Sequence, residues 1–345
     1  MANNHAVDWG GAGLRLTKKY AEAAGLAVAG VGESLPAARE AAFIDTDKGR
    51  VALVATASTF TANAPAGNST GGIPARPGVS PLRFSTTSVV TASGMATVRS
   101  LAAEMGLTLP PGDRVSLLGR TFQVGNQAEY RTEPNRADID QISAAVSTAR
   151  RLSDVTTVSI HAHEGTNGTT NTNVPAQFLI PFAHAAIDAG ADVFVGHGPH
   201  VLRGIEIYKG RPIFYSLGDF VFENETVQRL PADDYELLNL SPDKGIADLN
   251  EARYDHDRIG FPSQREIWES VVAVPRWRHR VLQAVDLYPI TLGFGQPAAV
   301  RGRPVLASEE LGRKIIGDLQ RLSVPFGTKI DYRNGVGTVV VASVP

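Results

Sequence analysis

The chain has 345 residues, 43% hydrophobic and 20% charged, with 33 Lys+Arg against 35 Asp+Glu for a formal net charge of -2; this supports a sizeable core, excludes a largely disordered chain, and lacks the basic surplus that nucleic-acid binding draws on. The absence of cysteine rules out disulfides, Cys-ligated zinc, iron–sulfur clusters and a cysteine nucleophile. No apolar run approaches the ~20 residues of a membrane-spanning helix, and the N-terminal stretch carries no basic-then-apolar signal pattern.

In chain order, Met1-Ala2-Asn3-Asn4-His5 runs into Ala6-Val7-Asp8-Trp9-Gly10 with no strand before it. Apolar spacing then predicts helices over 12–24 and 35–42 and a buried strand over 50–55. Residues 59–91 are rich in Gly, Pro, Ser, Thr and Asn and read as one long loop, a feature that is usually functional or mobile. A helix over 93–106, a strand over 115–124 and a helix over 137–152 follow. Strands are expected over 155–161, 193–196 and 213–217, with a helix over 176–189 between the first two, an order that suggests a crossover unit. Residues 255–280 are polar, aromatic and unassigned; 281–292 and 336–342 read as strands around a helix over 308–322. The whole reads as a single α/β domain over 1–345.

Five of the eight histidines lie in three short motifs: Asn3-Asn4-His5, Ser159-Ile160-His161-Ala162-His163-Glu164-Gly165 and Gly196-His197-Gly198-Pro199-His200. The last two fall where a strand gives way to a loop, the usual place for ligands in open α/β sheets. Imidazole nitrogens with amide or carboxylate oxygens suit Zn, Mn, Fe or Ni, so the constellation points to a metal site. His161 and His163 would share a face if the strand continued, and either both bind metal or one supports the other. Asn4 offers a neutral carbonyl oxygen, while the adjacent His5 is placed to protonate a leaving group, with Asp8 three residues on placed to orient it. Residues at a chain end are expected to fray unless tied down.

Together these residues resemble the CapA family of poly-γ-glutamate capsule synthesis proteins, a branch of the calcineurin-like metallophosphoesterases. Residues 2–10 are similar to the family's Ala-Asn-Asn-His-x-x-Asp-x-Gly signature, and 25–32 to the segment after it. Ala75-Arg76-Pro77-Gly78 resembles its Arg-Pro-Gly loop. The match continues through 188–193 into Gly196-His197-Gly198-Pro199-His200 and through 205–220, where Asp219 stands in place of an expected Asn.

The resemblance implies two packed β-sheets flanked by helices, with one or two divalent ions (Mn, Zn or Fe) held by Asn4, His161, His197 and His200. It makes His5 the proton donor. Arg76 is a candidate substrate-binding residue, because Arg pairs bidentately with carboxylates. The family's opening motifs, a Gly-Asp strand end and an Asn-Leu-Glu segment, have no counterpart before Asn3, so the sandwich is expected to lack its first strands and the metal site to be weakened. The implied activity, in a form carrying those motifs, is metal-dependent hydrolysis of phosphoester or γ-glutamyl bonds. The alternatives are a non-catalytic polymer-binding or export component and a metal-dependent peptide epimerase. An anionic polymer or small phosphoester, with capsule synthesis or export proteins, are the expected partners, nucleic acid is not, and the resemblance suggests the cell envelope or periplasm.

Overall fold

Residues 1–224, 226–228, 230–241 and 243–341 are described by the structure, a computed structural model, and the chain falls into two units, Met1–Gly196 and His197–Pro345. The first unit runs α1 (Gly10–Ala23), β1 (Val31–Gly32), α2 (Leu35–Arg39), β2 (Ala42–Thr46), β3 (Gly49–Ala57), β4 (Gly78–Val79), β5 (Phe84–Val90), α3 (Ala92–Glu104), β6 (Arg114–Leu117), β7 (Arg120–Val124), β8 (Glu129–Pro134), α4 (Arg136–Leu152), β9 (Val155–His161), α5 (Leu179–Asp188) and β10 (Val193–His197). The second runs β11 (Ile205–Tyr208), β12 (Arg211–Phe214), α6 (Ala232–Leu237), α7 (Ile246–Tyr254), β13 (Glu269–Arg278), β14 (Val281–Thr291), β15 (Val305–Leu306), α8 (Glu309–Ser323), β16 (Ile330–Arg333) and β17 (Val336–Val340). This is a mixed α/β protein with several sheets flanked by helices, and no helix among the described residues is long and apolar enough to cross a membrane.

In the first unit, β2, β3, β9 and β10 are consecutive neighbours. β3 runs parallel to β9, with Ala57 opposite His161, so the C-terminal ends of the two strands lie side by side. Parallel strands need both faces covered, and α4 packs on β3 and β9 while α5 packs on α4. The inward residues of α4, Ile139, Ile142, Val146 and Ala149, follow helical spacing, and Asn135 caps the helix by accepting the Asp138 N–H. The N-terminal segment closes against β3 through small residues: Ala2, Ala29, Ala55 and Ala57 form one buried cluster. Gly30 is required there, because a Cβ would lie 2.6 Å from that of Ala2 and 2.9 Å from that of Ala55, on a backbone with φ +84°. A separate sheet, in the order β6-β7-β5-β8, completes the unit with the two-stranded β1–β4 pair.

The segment read as one loop over 59–91 is corrected in its last third. Phe84–Val90 is β5, paired with β7 and β8; Ser85 and Thr86 are exposed while Thr87 and Val89 are buried. The earlier part is anchored along β3: Ser80 O accepts from Ala57 N–H and Thr56 Oγ1, and Leu82 N–H reaches Ala57 O. The helix expected over 35–42 ends at Arg39, and Ala42 onward joins β3 as an edge strand. The strand expected over 115–124 is a hairpin, because Leu118 and Gly119 take φ +48° and +76° and reverse the chain.

In the second unit, β13-β14-β17-β16 form a sheet with β15 on β14, and α8 covers it with Ile315, Ile316 and Leu319 buried. The strand expected over 213–217 is shifted toward the N-terminus: it is β12, Arg211–Phe214, the second arm of the β11–β12 hairpin turned by Lys209 and Gly210 at φ +49° and +72°. β13 fills the end of the unassigned 255–280 segment. Of the strand expected over 336–342, Val336–Val340 is β17, and Ala342 lies outside the described residues.

Candidate functional site

The site in the first unit is built where β3 and β9 end. His161 is the last residue of β9 and is buried, and its carbonyl accepts from the Ser58 N–H at 2.9 Å. Past it the chain turns sharply, and the turn is held by hydroxyls from the end of β3. Ser58 Oγ donates to Glu164 Oε2 at 2.7 Å and Thr59 Oγ1 to Glu164 Oε1 at 2.8 Å, while Thr59 Oγ1 accepts the His163 N–H at 2.9 Å. Glu164 therefore spends both carboxylate oxygens fixing the turn.

This arrangement brings three donor atoms together. His161 Nε2 lies 3.0 Å from Asn4 Oδ1 and 2.9 Å from His163 Nε2, and the two imidazoles meet edge to face at 65°. On its other side, His163 Nδ1 lies 2.6 Å from Asn171 Oδ1. Asn4 and His161 were both expected at the site. His163, which the sequence left open, joins them. Ser58, Thr59 and Asn171 were missed, although Ser58 lies only three residues past the buried strand predicted over 50–55.

The N-terminal segment is tied down by contacts. The Met1 amine donates to Ala29 O at 2.7 Å, Ala2 and Val7 are buried, and the His5 N–H donates to Asn3 Oδ1 at 2.9 Å. Beside Asn4, His5 Nδ1 and Asp8 Oδ2 are 2.7 Å apart, and both side chains are exposed. The orienting contact read from the i, i+3 spacing is thus present, with the imidazole facing solvent.

Arg76, in the loop before β4, donates from Nε to Pro65 O at 3.0 Å, so one of its donors fixes the loop. His197 ends β10. In the second unit, His200 sits at φ +62° after the buried Pro199, with Nδ1 at 3.0 and 3.2 Å from the two oxygens of Asp219 and its ring beside Phe222 and Phe261. A carboxylate on Nδ1 fixes the orientation of the His200 ring. The Asp219 that departs from the resemblance is therefore a working partner of His200.

Among the described residues, no group of three or more His, Cys, Asp or Glu side chains is placed to hold a metal ion. The first-unit cluster has a different composition: two imidazole nitrogens and one amide oxygen. Neutral nitrogen and carbonyl donors suit Zn, Mn or Fe, and Asn4 Oδ1 and His163 Nε2 lie 3.0 and 2.9 Å from His161 Nε2, so the chemistry of the donor set fits a divalent cation.

Residues 1–224 match the family described as Bacterial capsule synthesis protein PGA_cap. The chain is 38% identical over 352 residues to the uncharacterized protein y4sH of Sinorhizobium fredii, covering 98% of this chain and 75% of that protein. It is 42% identical over 87 residues to the PGA biosynthesis protein CapA of Bacillus subtilis, covering 25% of this chain and 22% of that one. It is also 28% identical over 228 residues to a probable polyglutamine synthesis accessory protein of Mycobacterium tuberculosis, covering 66% of this chain and 45% of that one. The chain therefore belongs to the PGA_cap family of bacterial capsule synthesis proteins, in agreement with the CapA resemblance of its motifs.

Proposed function

We propose that this chain, in a form that carries the family's opening motifs, acts as a metal-dependent hydrolase of capsule or poly-γ-glutamate metabolism, cutting phosphoester or γ-glutamyl bonds on a metallophosphoesterase-like sandwich. The observation that carries the reading is the convergence of Asn4 Oδ1, His161 Nε2 and His163 Nε2 beside the His5–Asp8 pair. Asn4 and His161 would hold a divalent ion, Mn, Zn or Fe; from the sequence, His197 and His200 are expected to contribute ligands as well. Bound there, such an ion would supply Lewis-acid activation for hydrolysis. His5, oriented through Nδ1 by Asp8, directs Nε2 outward and supplies the proton to the leaving group. Arg76 would pair with a carboxylate or phosphate of the substrate.

General acid catalysis contributes about 10²–10⁴-fold in rate. His5→Ala is therefore expected to lower metal-dependent turnover of phosphodiester or γ-glutamyl substrates by that order while leaving metal content intact. Turnover by His5→Ala equal to wild type would remove the general-acid role. A second reading is a non-catalytic component that binds or exports the polymer, favoured by the absence of a three-residue His/Asp/Glu metal group among the described residues and by the accessory role in the mycobacterial relative's name. Poly-γ-glutamate that binds and is recovered uncut, with no metal dependence, would establish it. Racemised but intact polymer would instead indicate an epimerase.

A further inference from the structure

We propose that Asn171 is a positioning residue that fixes His163 as its Nδ1–H tautomer and so makes His163 Nε2 a third donor atom beside Asn4 Oδ1 and His161 Nε2. The proposal rests on the metal reading above and adds to it a ligand and the residue that aims it.

Asn171 grips His163 at two points. Its backbone N–H donates to His163 O at 3.0 Å, and its Oδ1 lies 2.6 Å from His163 Nδ1. An amide oxygen only accepts, so Nδ1 carries the proton, and a neutral imidazole then presents a lone pair at Nε2. That nitrogen is the one 2.9 Å from His161 Nε2. A hydrogen-bonded partner on the far ring nitrogen is the feature that orients metal-bound histidines and sets their tautomer.

The loop that carries Asn171 is shaped for this contact. Asn171 itself sits at φ +55°, a left-handed conformation that Asn tolerates better than most residues. The loop folds back on the turn after β9: Gly165 N–H donates to Thr169 O at 2.8 Å, and Ala176 N–H to Glu164 O at 3.2 Å. A Cβ on Gly165 would come within 2.1 Å of Thr172 Oγ1 and 2.9 Å of Thr169 Oγ1, so only glycine allows the loop to close this tightly. Ser58 and Thr59 hold the turn from the β3 side. His163 is thus fixed at its backbone N–H, its carbonyl and its Nδ1.

The test uses the full chain, metal-free and labelled with ¹⁵N-histidine. A long-range ¹H–¹⁵N spectrum reads the His163 tautomer, and a calorimetric zinc titration reads affinity. Wild type is expected to show Nδ1–H. Asn171→Gly keeps the left-handed backbone but removes the acceptor; it should shift His163 toward Nε2–H and weaken zinc binding by about 10–100-fold, the usual cost of losing such a partner. Asn171→Asp restores an acceptor and should keep both the tautomer and the affinity. An Nε2–H His163 in wild type overturns the proposal whether or not the variants fold, as does an Asn171→Gly protein that binds zinc as tightly as wild type. A wild type with Nδ1–H that takes up no zinc overturns the metal reading instead, and leaves Asn171 as the residue that sets the tautomer.

Discussion

Asp138→Asn is the sharpest test of how the first unit holds its loop and helices in register. Asp138 lies in the first turn of α4 with no exposed surface, and it accepts from Arg39 Nη2 at 2.5 Å and from Arg83 Nε, Nη2 and backbone N–H at 2.7, 2.7 and 2.9 Å. Arg39 is itself buried and also reaches Pro81 O, so one carboxylate joins α2, α4 and the loop that runs along β3. The amide of Asn is nearly isosteric but neutral, and its nitrogen end must face an arginine donor. Removing one partner of a buried pair costs about 3–5 kcal/mol, because the other charge stays buried without compensation. The Arg83 side chain is half exposed, and its pair is worth much less; Arg39 therefore carries most of that cost. Burial pushes the Asp138 carboxyl up, but the hydrogen bonds from Arg83 and Arg39 outweigh it and hold the group below the usual carboxylate range. A depressed folded pKa adds stability that is present above the unfolded value, about 3.9, and lost as pH falls through the folded one. Urea-dependent hydrogen exchange of the α4 amides should therefore show a loss of about 3–5 kcal/mol at pH 7, and the gap between wild type and variant should close in acid. A loss under about 0.5 kcal/mol at pH 7, the scale of an ordinary surface change, would refute the reasoning.

Three further outcomes follow from the same structure. Gly165→Ala should raise hydrogen-exchange rates across residues 165–175 and weaken zinc binding with them, because its Cβ meets Thr172 Oγ1; unchanged exchange there would contradict the close fit. Thr59→Val removes a donor to Glu164 and the acceptor for the His163 N–H, so it should weaken zinc binding while Ser58→Ala, which touches only Glu164 and the His161 carbonyl, does so less; the two titrations side by side check the order. In the second unit, burial pushes the Glu269 carboxyl above its usual range, against the pull of its ion pair with Lys314. Lys314→Met removes that pair, so the carboxyl should rise further. The destabilisation should then grow as pH increases from 5 to 8, since a raised folded pKa gives stability that is lost on the alkaline side; a pH-independent loss in thermal melts would speak against it.

Local chemistry made part of this legible. Val155–His161 was read as a strand with its true ends because its alternation stops where His161-Ala162-His163-Glu164-Gly165 begins. The His5–Asp8 contact follows from spacing alone, and α4 and α8 from their apolar periodicity. The hairpin turns at Leu118-Gly119 and Lys209-Gly210 were hidden because a non-glycine residue takes positive φ at the first position, where Asn or Gly would have announced the turn. β5 was lost in a Ser/Thr-rich stretch that reads as loop unless its partners β7 and β8 are known. The contacts that shape the site span the chain. His161 meets Asn4 across 157 residues and Ser58 meets Glu164 across 106, and no local period encodes such distances. Asn171 lies only eight residues past His163, yet its role depends on a loop closure that becomes visible only in three dimensions.

The most direct test of the account is metal content. The full chain, loaded with Mn²⁺ or Zn²⁺ and dialysed, should retain at least one equivalent by elemental analysis, and His161→Ala, which removes the donor atom shared by Asn4 and His163, should retain none while its circular dichroism stays that of the wild type. A wild type that holds no metal, or a folded His161→Ala that holds as much as wild type, would contradict the assignment of Asn4, His161 and His163 as a metal site.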